Sequence, residues 1–364
     1  MQFADRVMNL EISGIRKIFE SAGPDAISLA LGQPDFDTPL HIKEAAIQAI
    51  RDGKTGYTPN SGIPELRETI SQKFRRENNL HYSPSDIIVC AGASEALNIA
   101  MQAIVNPGDR VVYSDPGFVS YGALAELAGG VPDPVPLGDD LRLDLDRTCE
   151  AIDGARMIVL NSPSNPTGMV ESEETIRGIV EFADDQGTLV ISDEVYEHFI
   201  YGGKHYSAAL YGDNVITINA TSKTYAMTGW RLGFLAAPLE IAEECLKVHQ
   251  YTIACASSIS QYAALAAYTG DQGVVRAMRD EYHARRDLMA GGLKEMGFDF
   301  CVPEGAFYLF VPMSAEQLEA IISAGVIIVP GTAFGAHGTG YARISYAASQ
   351  DALKEALNRI RNVV

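Results

Sequence analysis

Lys223 and Arg231 stand eight positions apart in "NATSKTYAMTGWRLGF", a stretch otherwise small, hydroxylic and apolar. Lysine and arginine usually lie at the surface. Here they follow the apolar, β-rich run "NVITINA". A lysine placed just after a strand can condense with a carbonyl, and an arginine can hold a phosphate. Asp193 closes another apolar run, "TLVISDE", where a carboxylate needs a cation or hydrogen bonds to offset its desolvation. Gly92, Ala93 and Ser94, in "AGASEAL", follow a third run and open a helix, so their free N–H groups and the Ser94 hydroxyl form an anion site. Asn165, in "NPTG", and Tyr196, in "DEVY", sit just past two such runs. Each feature has a plain reading by itself: a helix cap, a buried ion pair, a turn, two surface cations.

Taken together they call for one ligand that carries a phosphate, a carbonyl able to condense with an amine, and a basic ring nitrogen. Pyridoxal phosphate has all three. The lysine would take its aldehyde and the aspartate would keep its ring nitrogen protonated. Asn and Tyr would bond its phenolic oxygen, and the arginine and helix N-terminus would hold its phosphate.

The elements that must position these side chains alternate along the chain. "DIIVCAG", "DRVVYSD", "ARMIVLNS", "TLVISDE" and "NVITINA" are apolar on both faces, as strands of a mostly parallel sheet covered by helices are. Between them, "DTPLHIKEAAIQAIRDG" predicts a helix capped by Thr38, with Pro39 first and Gly53 as its stop, and "SEALNIAMQAIVNPGD" predicts another. In an open α/β sheet, ligands bind where the strands end, and the candidate residues lie there. After about residue 270, "GVVRAMRDEYHARRDLMAGGLKEMG" reads as one long helix. "AFYLFVPM", "GVIIVPG" and "YARISYA" then predict strands of a smaller α+β unit, with helices at "SAEQLEAIISAG" and "SQDALKEALNRIRNVV". The expected division is an N-terminal segment over 1–33 that packs with the small unit, a large domain over 34–270 and a small domain over 271–364. "GTAFGAHGTG" lacks a phosphate-loop pattern and reads as a flexible lead into "YARIS".

Composition narrows the classes. Over 364 residues, 47% are hydrophobic and 21% charged, a globular composition with material for a large core. A net charge of −19 opposes binding to nucleic acid. The five cysteines form no paired motif, and the seven histidines show no metal or triad spacing, so a reduced compartment and no metal are expected. No signal-like or membrane-length apolar run occurs, which predicts a cytoplasmic protein acting on small molecules.

"SKTYAMTGWRLGF", "NSPSNPTG", "SDEVYEHFIY", "GQPDFDTP" and "GYTPNSGIPELR" resemble the class I/II aminotransferases of fold type I, close to the aspartate and aromatic aminotransferase branch. The resemblance runs from about residue 10 to the end. It implies that Lys223 bonds the cofactor and shuttles the proton, that Asp193 meets the ring nitrogen, and that Asn165 and Tyr196 meet the phenolic oxygen. It implies further that Arg231 and the turn Gly92, Ala93, Ser94 hold the phosphate, that Phe118 stacks on the ring, and that Arg343 clamps the substrate α-carboxylate beside Gly32. Tyr57 matches a tyrosine that reaches the phosphate of the neighbouring subunit, so a homodimer with shared sites is implied. The implied reaction moves an amino group from an L-amino acid, aspartate first, with aromatic amino acids or alanine next, to a 2-oxo acid such as 2-oxoglutarate, by a ping-pong cycle. A C–S β- or γ-lyase on the same fold, and a non-catalytic regulatory protein, are the alternatives. Two departures stand out. Ala220 replaces a hydroxyl common in relatives, which leaves Thr221 or Ser222 to supply the phosphate contact, and Ser94 stands where some aspartate-specific relatives place a lysine.

Overall fold

The structure is a computed structural model that describes residues 3–8, 10 and 25–364. Much of the N-terminal segment expected over 1–33 lies outside the described residues.

A seven-stranded sheet runs in the order β2-β8-β7-β6-β5-β3-β4. Its strands are β2 (Ile87–Cys90), β3 (Arg110–Asp115), β4 (Val131–Pro136), β5 (Met157–Asn161), β6 (Leu189–Asp193), β7 (Val215–Ala220) and β8 (Gly233–Ala236). All neighbours are parallel except β8, which runs antiparallel to β2 and β7. The five apolar runs read from sequence are β2, β3, β5, β6 and β7. Alternate residues serve opposite faces: Val111, Met157, Val159, Ile191 and Ile216 pack under the helices Ala93–Ile104 and Leu239–Thr252, while Val112, Ile158, Leu160 and Val190 pack under Glu173–Asp185. Both sets are buried, so the strands read as continuous apolar runs.

The two strands of this sheet that sequence reading missed have physical reasons. β4 is "VPDPVP", and its prolines are tolerated because the strand is an edge of the sheet. β8 begins within the last two residues of the segment that carries Arg231 and has only four residues.

A second, antiparallel sheet of order β11-β12-β9 unites β9 (Tyr308–Pro312), β11 (Val329–Pro330) and β12 (Tyr341–Ser345). Beside it, β1 (Ile27–Ser28) pairs in parallel with β10 (Val326–Ile327). The long helix spans Gly273–Glu295 and packs on Gln350–Arg361. Among the described residues, no helix is long and apolar enough to cross a membrane.

Two local expectations need correction. The helix expected after Thr38 spans Leu40–Arg51, with Pro39 at its cap in a non-helical conformation and no side-chain cap. Thr38 instead donates to the Ala226 carbonyl at 2.7 Å and accepts from the Trp230 indole at 3.1 Å, tying this helix to the segment that carries Lys223 and Arg231. The glycine-rich stretch 331–340 is not a loose lead. It forms two short 3₁₀ turns, Gly331–Phe334 and Ala336–Gly338, and His337 bonds the buried carboxylate of Asp115 at 2.8 Å.

Candidate active site

The C-terminal ends of β2, β3, β5, β6 and β7 open on one cavity of about 260 Å³. Gly32, Ala93, Ser94, Phe118, Asn165, Asp193, Tyr196, Lys223, Arg231 and Arg343 all line it. Of the residues expected at the site, Gly92 lies just behind the lining and Tyr57 lies away from it, 93% exposed.

Lys223 sits in a single helical turn, Thr221–Thr224, at the end of β7. Its Nζ donates to the Gly32 carbonyl at 2.6 Å. Gly32 must be glycine, because a Cβ there would fall 1.8 Å from the Tyr308 hydroxyl. Burial, together with the charges of Arg343 and Arg231, brings the Lys223 amine down to about 8. A lysine so placed has an unprotonated fraction near neutral pH and can act as nucleophile and base.

Asp193 ends β6 and is 4% exposed. Burial raises its carboxyl to about 6, against the opposing hydrogen bond from the Tyr121 hydroxyl at 2.9 Å. Among the described residues no lysine or arginine pairs with it, so it is a buried carboxylate held by neutral donors. Asn161, at the end of β5, donates to the Asp193 carbonyl at 2.9 Å and accepts from the Asn165 N–H at 2.8 Å. Thus one asparagine fixes two candidate residues. Tyr196 shares a 2.8 Å hydrogen bond with Tyr308.

The anion end has a defined construction. Gly92 caps the helix Ala93–Ile104 with φ +87°, and a Cβ on it would meet Arg231 Nη2 at 2.6 Å. Both its conformation and the approach of the guanidinium require glycine. Arg231 adopts a left-handed conformation, φ 50°, and donates to the carbonyls of Thr228 and Ala91 at 3.1 and 3.4 Å. Ser222 lines the cavity, whereas the Thr221 hydroxyl is turned to the Leu232 carbonyl at 3.2 Å. Of the two substitutes for a hydroxyl at Ala220, only Ser222 faces the right way.

The opposite end is built around Arg343 on β12, 2% exposed. Its guanidinium lies between the rings of Tyr308 and Phe334, 4.5 and 4.6 Å from their centroids. Nη1 donates to Asn165 Oδ1 at 2.8 Å and Nη2 to the Ala30 carbonyl. Among the described residues, Nε is buried with no acceptor. A buried arginine with an unanswered donor, beside a cavity, has the geometry to receive a carboxylate.

Against known proteins, the model of the family "aminotransferase class I and II" matches residues 24–360. The chain belongs to the class I and II aminotransferases. It is 45% identical to the probable aspartate aminotransferase of Methanocaldococcus jannaschii, with 99% of each chain covered. It is 43% identical to the aspartate aminotransferase of Pyrococcus abyssi, covering all of this chain and 98% of that one. Its fold matches the aspartate aminotransferase from Thermus thermophilus with maleate, with a TM-score of 0.97 and 36% identity over the whole of both chains. This aminotransferase is therefore an enzyme of the expected α/β fold.

Sequence reading missed Tyr121, Asn161 and Tyr308 as members of the lining. Asn161 lies inside a quoted motif, and Tyr121 follows Phe118 by three positions, so proximity to those residues was the available signal. For Tyr308, in an apolar strand of the small sheet, no local signal existed.

Proposed function

We propose that this aminotransferase uses pyridoxal phosphate to move the amino group of an L-amino acid, aspartate first, to 2-oxoglutarate in a ping-pong cycle, as a cytoplasmic homodimer. The observation that carries the reading is the convergence in one cavity of a lysine brought down to about 8, a buried carboxylate with no cationic partner and an arginine with a free buried donor. When bound, the cofactor supplies an aldehyde for the amine and an electron sink for the substrate Cα.

The residues fit that group. Asp193 places a buried carboxylate where a protonated ring nitrogen would complete the ion pair that burial demands. Asn165 and Tyr196 offer donors to the phenolic oxygen, since the Asn165 amide oxygen is already taken by Arg343 and its NH₂ remains to donate. Arg231, Ser94, Ser222 and the helix N-terminus would hold the phosphate, and Phe118 would cover the ring. Arg343 holds the substrate α-carboxylate through Nε and a terminal nitrogen, two parallel N–H donors that lysine cannot reproduce. That grip orients the Cα–H bond towards Lys223. Lys223 Nζ would remove the Cα proton of the donor amino acid and, in the second half of the cycle, add a proton to the Cα of the new amino acid. The exposed Tyr57 would serve the phosphate of the neighbouring subunit, and the free cysteines suit a reducing compartment. The large unit over 34–270 would carry the cofactor and the unit over 271–364 the carboxylate clamp.

The test is a screen of the twenty amino acids with purified, cofactor-loaded protein, following the cofactor's absorbance before and after 2-oxoglutarate is added. Conversion by aspartate and reversal by 2-oxoglutarate is expected. Release of pyruvate and ammonia from a sulfur amino acid, with no acceptor present, would replace this reading with elimination.

A further inference from the structure

Histidine carries no role in the proposed chemistry, yet one histidine is fully buried behind the phosphate turn. His249, on Leu239–Thr252, is 0% exposed. Its Nδ1 meets Glu95 Oε1 at 2.9 Å and its Nε2 meets the Asn60 carbonyl at 2.9 Å. Glu95 lies in the first turn of the helix Ala93–Ile104, and its other oxygen accepts from the Ala91 N–H. Ala91 in turn presents its carbonyl to Arg231. One acidic side chain therefore sits within the turn that would bind a phosphate, one residue away from the Arg231 guanidinium.

The proton count follows from the geometry. A carbonyl only accepts, so Nε2 must carry a hydrogen. The Nδ1 to Oε1 contact then holds one more proton, and the pair is neutral as a whole whichever atom that proton rides on. Without the imidazole, Glu95 would be a buried anion in the field of the same helix N-terminus and arginine that a phosphate needs. We infer that His249 is a positioning residue for the phosphate turn, cancelling the charge of Glu95 so that Glu95 can brace the Ala91 N–H without repelling the cofactor phosphate. The inference rests on the proposed reading of the cavity as a pyridoxal phosphate site.

Further contacts fix the loop that the histidine meets. Asn60 is anchored through its side chain to the Ala254 carbonyl at 2.6 Å, and the buried Gln261 donates to Thr58 at 3.0 Å and accepts from the Ile63 N–H at 2.8 Å. The Nε2 bond therefore ties the brace to a rigid loop, the one that bears Tyr57.

The test compares the affinity of cofactor-free protein for pyridoxal phosphate and for pyridoxal, which lacks the phosphate, by absorbance titration. For His249→Gln, which cannot supply the cancelling charge, preference for the phosphorylated aldehyde falls by about tenfold or more. Glu95→Gln keeps an acceptor for Ala91 and holds the wild-type preference, and in Glu95→Gln/His249→Gln that preference returns. An unchanged ratio in His249→Gln, or an equal loss in Glu95→Gln, would overturn the inference. Should His249→Gln fail to fold, Glu95→Gln/His249→Gln decides: removing the Glu95 charge should restore folding and the wild-type preference, and a double variant that also fails to fold, or folds without that preference, would overturn the inference. Wild-type protein with no preference for the phosphorylated aldehyde would overturn the reading of the cavity and this inference with it.

Discussion

Replacing Asp193 with asparagine should make the cofactor-free protein more stable and the loaded enzyme nearly inactive. An ordinary aspartate titrates near 3.8, and burial raises Asp193 to about 6. At roughly 1.36 kcal/mol per pH unit, that difference corresponds to about 3 kcal/mol of unfavourable burial once the carboxylate is charged. Between pH 3.8 and about 6 the folded chain keeps a proton on Asp193 that the unfolded chain has released. Rising pH therefore erodes stability across that window, and the loss is complete above it. Asparagine is isosteric and still accepts from the Tyr121 hydroxyl, so it removes the charge while opening no cavity. Urea unfolding of cofactor-free wild type and Asp193→Asn from pH 4 to pH 8 should show a gap that opens with pH and levels near 3 kcal/mol in favour of the variant. Turnover should move the other way. Breaking a buried ion pair costs roughly 3–5 kcal/mol, or about two to four powers of ten in rate if it all reaches the barrier. A gap that stays flat with pH, or a variant with wild-type turnover, would refute the reasoning that burial has set this carboxylate aside for a ring cation.

Other outcomes follow from the same geometry. Arg343→Lys should raise KM for every amino acid, at a cost of roughly 2–5 kcal/mol; steady-state kinetics with unchanged KM would place the clamp elsewhere. Tyr121→Phe removes a hydrogen bond to a charged group, worth roughly 1.5–3 kcal/mol, so kcat should fall by about one to two powers of ten, and wild-type kcat would deny Tyr121 that part. The rate at which cofactor-free protein captures pyridoxal phosphate should rise about tenfold per pH unit and level off near pH 8, where the Lys223 amine loses its proton; stopped-flow absorbance showing the rise continuing towards pH 10 would contradict a depressed amine. Mixing inactive Lys223→Ala with Tyr57→Ala chains should restore part of the activity through hybrid sites, and no regain would argue against sharing between subunits.

Much of the fold was legible because the physics is local. Five strands announced themselves as apolar on both faces, and the long helix Gly273–Glu295 by its length and charge. β4 was hidden because three prolines remove strand signals, and only its edge position makes them harmless. Thr38 looked like a cap, since hydroxyl before proline before helix is the usual pattern, but its partners Ala226 and Trp230 lie 188 and 192 positions away. Long-range hydrogen bonds leave no periodic trace. The site shows the same division: Lys223, Asp193 and the Gly92 turn could be read from strand ends, whereas Tyr308 and the Glu95 to His249 contact depend on how separate elements pack. The stretch 331–340 was misjudged as mobile because glycine content speaks of conformational freedom and not of the buried Asp115 waiting opposite.

The carbonyls of Ala30 and Gly32 accept from Arg343 and Lys223, the two groups that a substrate and its carrier would engage. This short piece of main chain acts as a resident understudy for them. A guest that took up these two donors would exchange partners with the main chain at residues 30 and 32. Admission of a ligand would thereby be weighed against two main-chain oxygen atoms that already hold the donors.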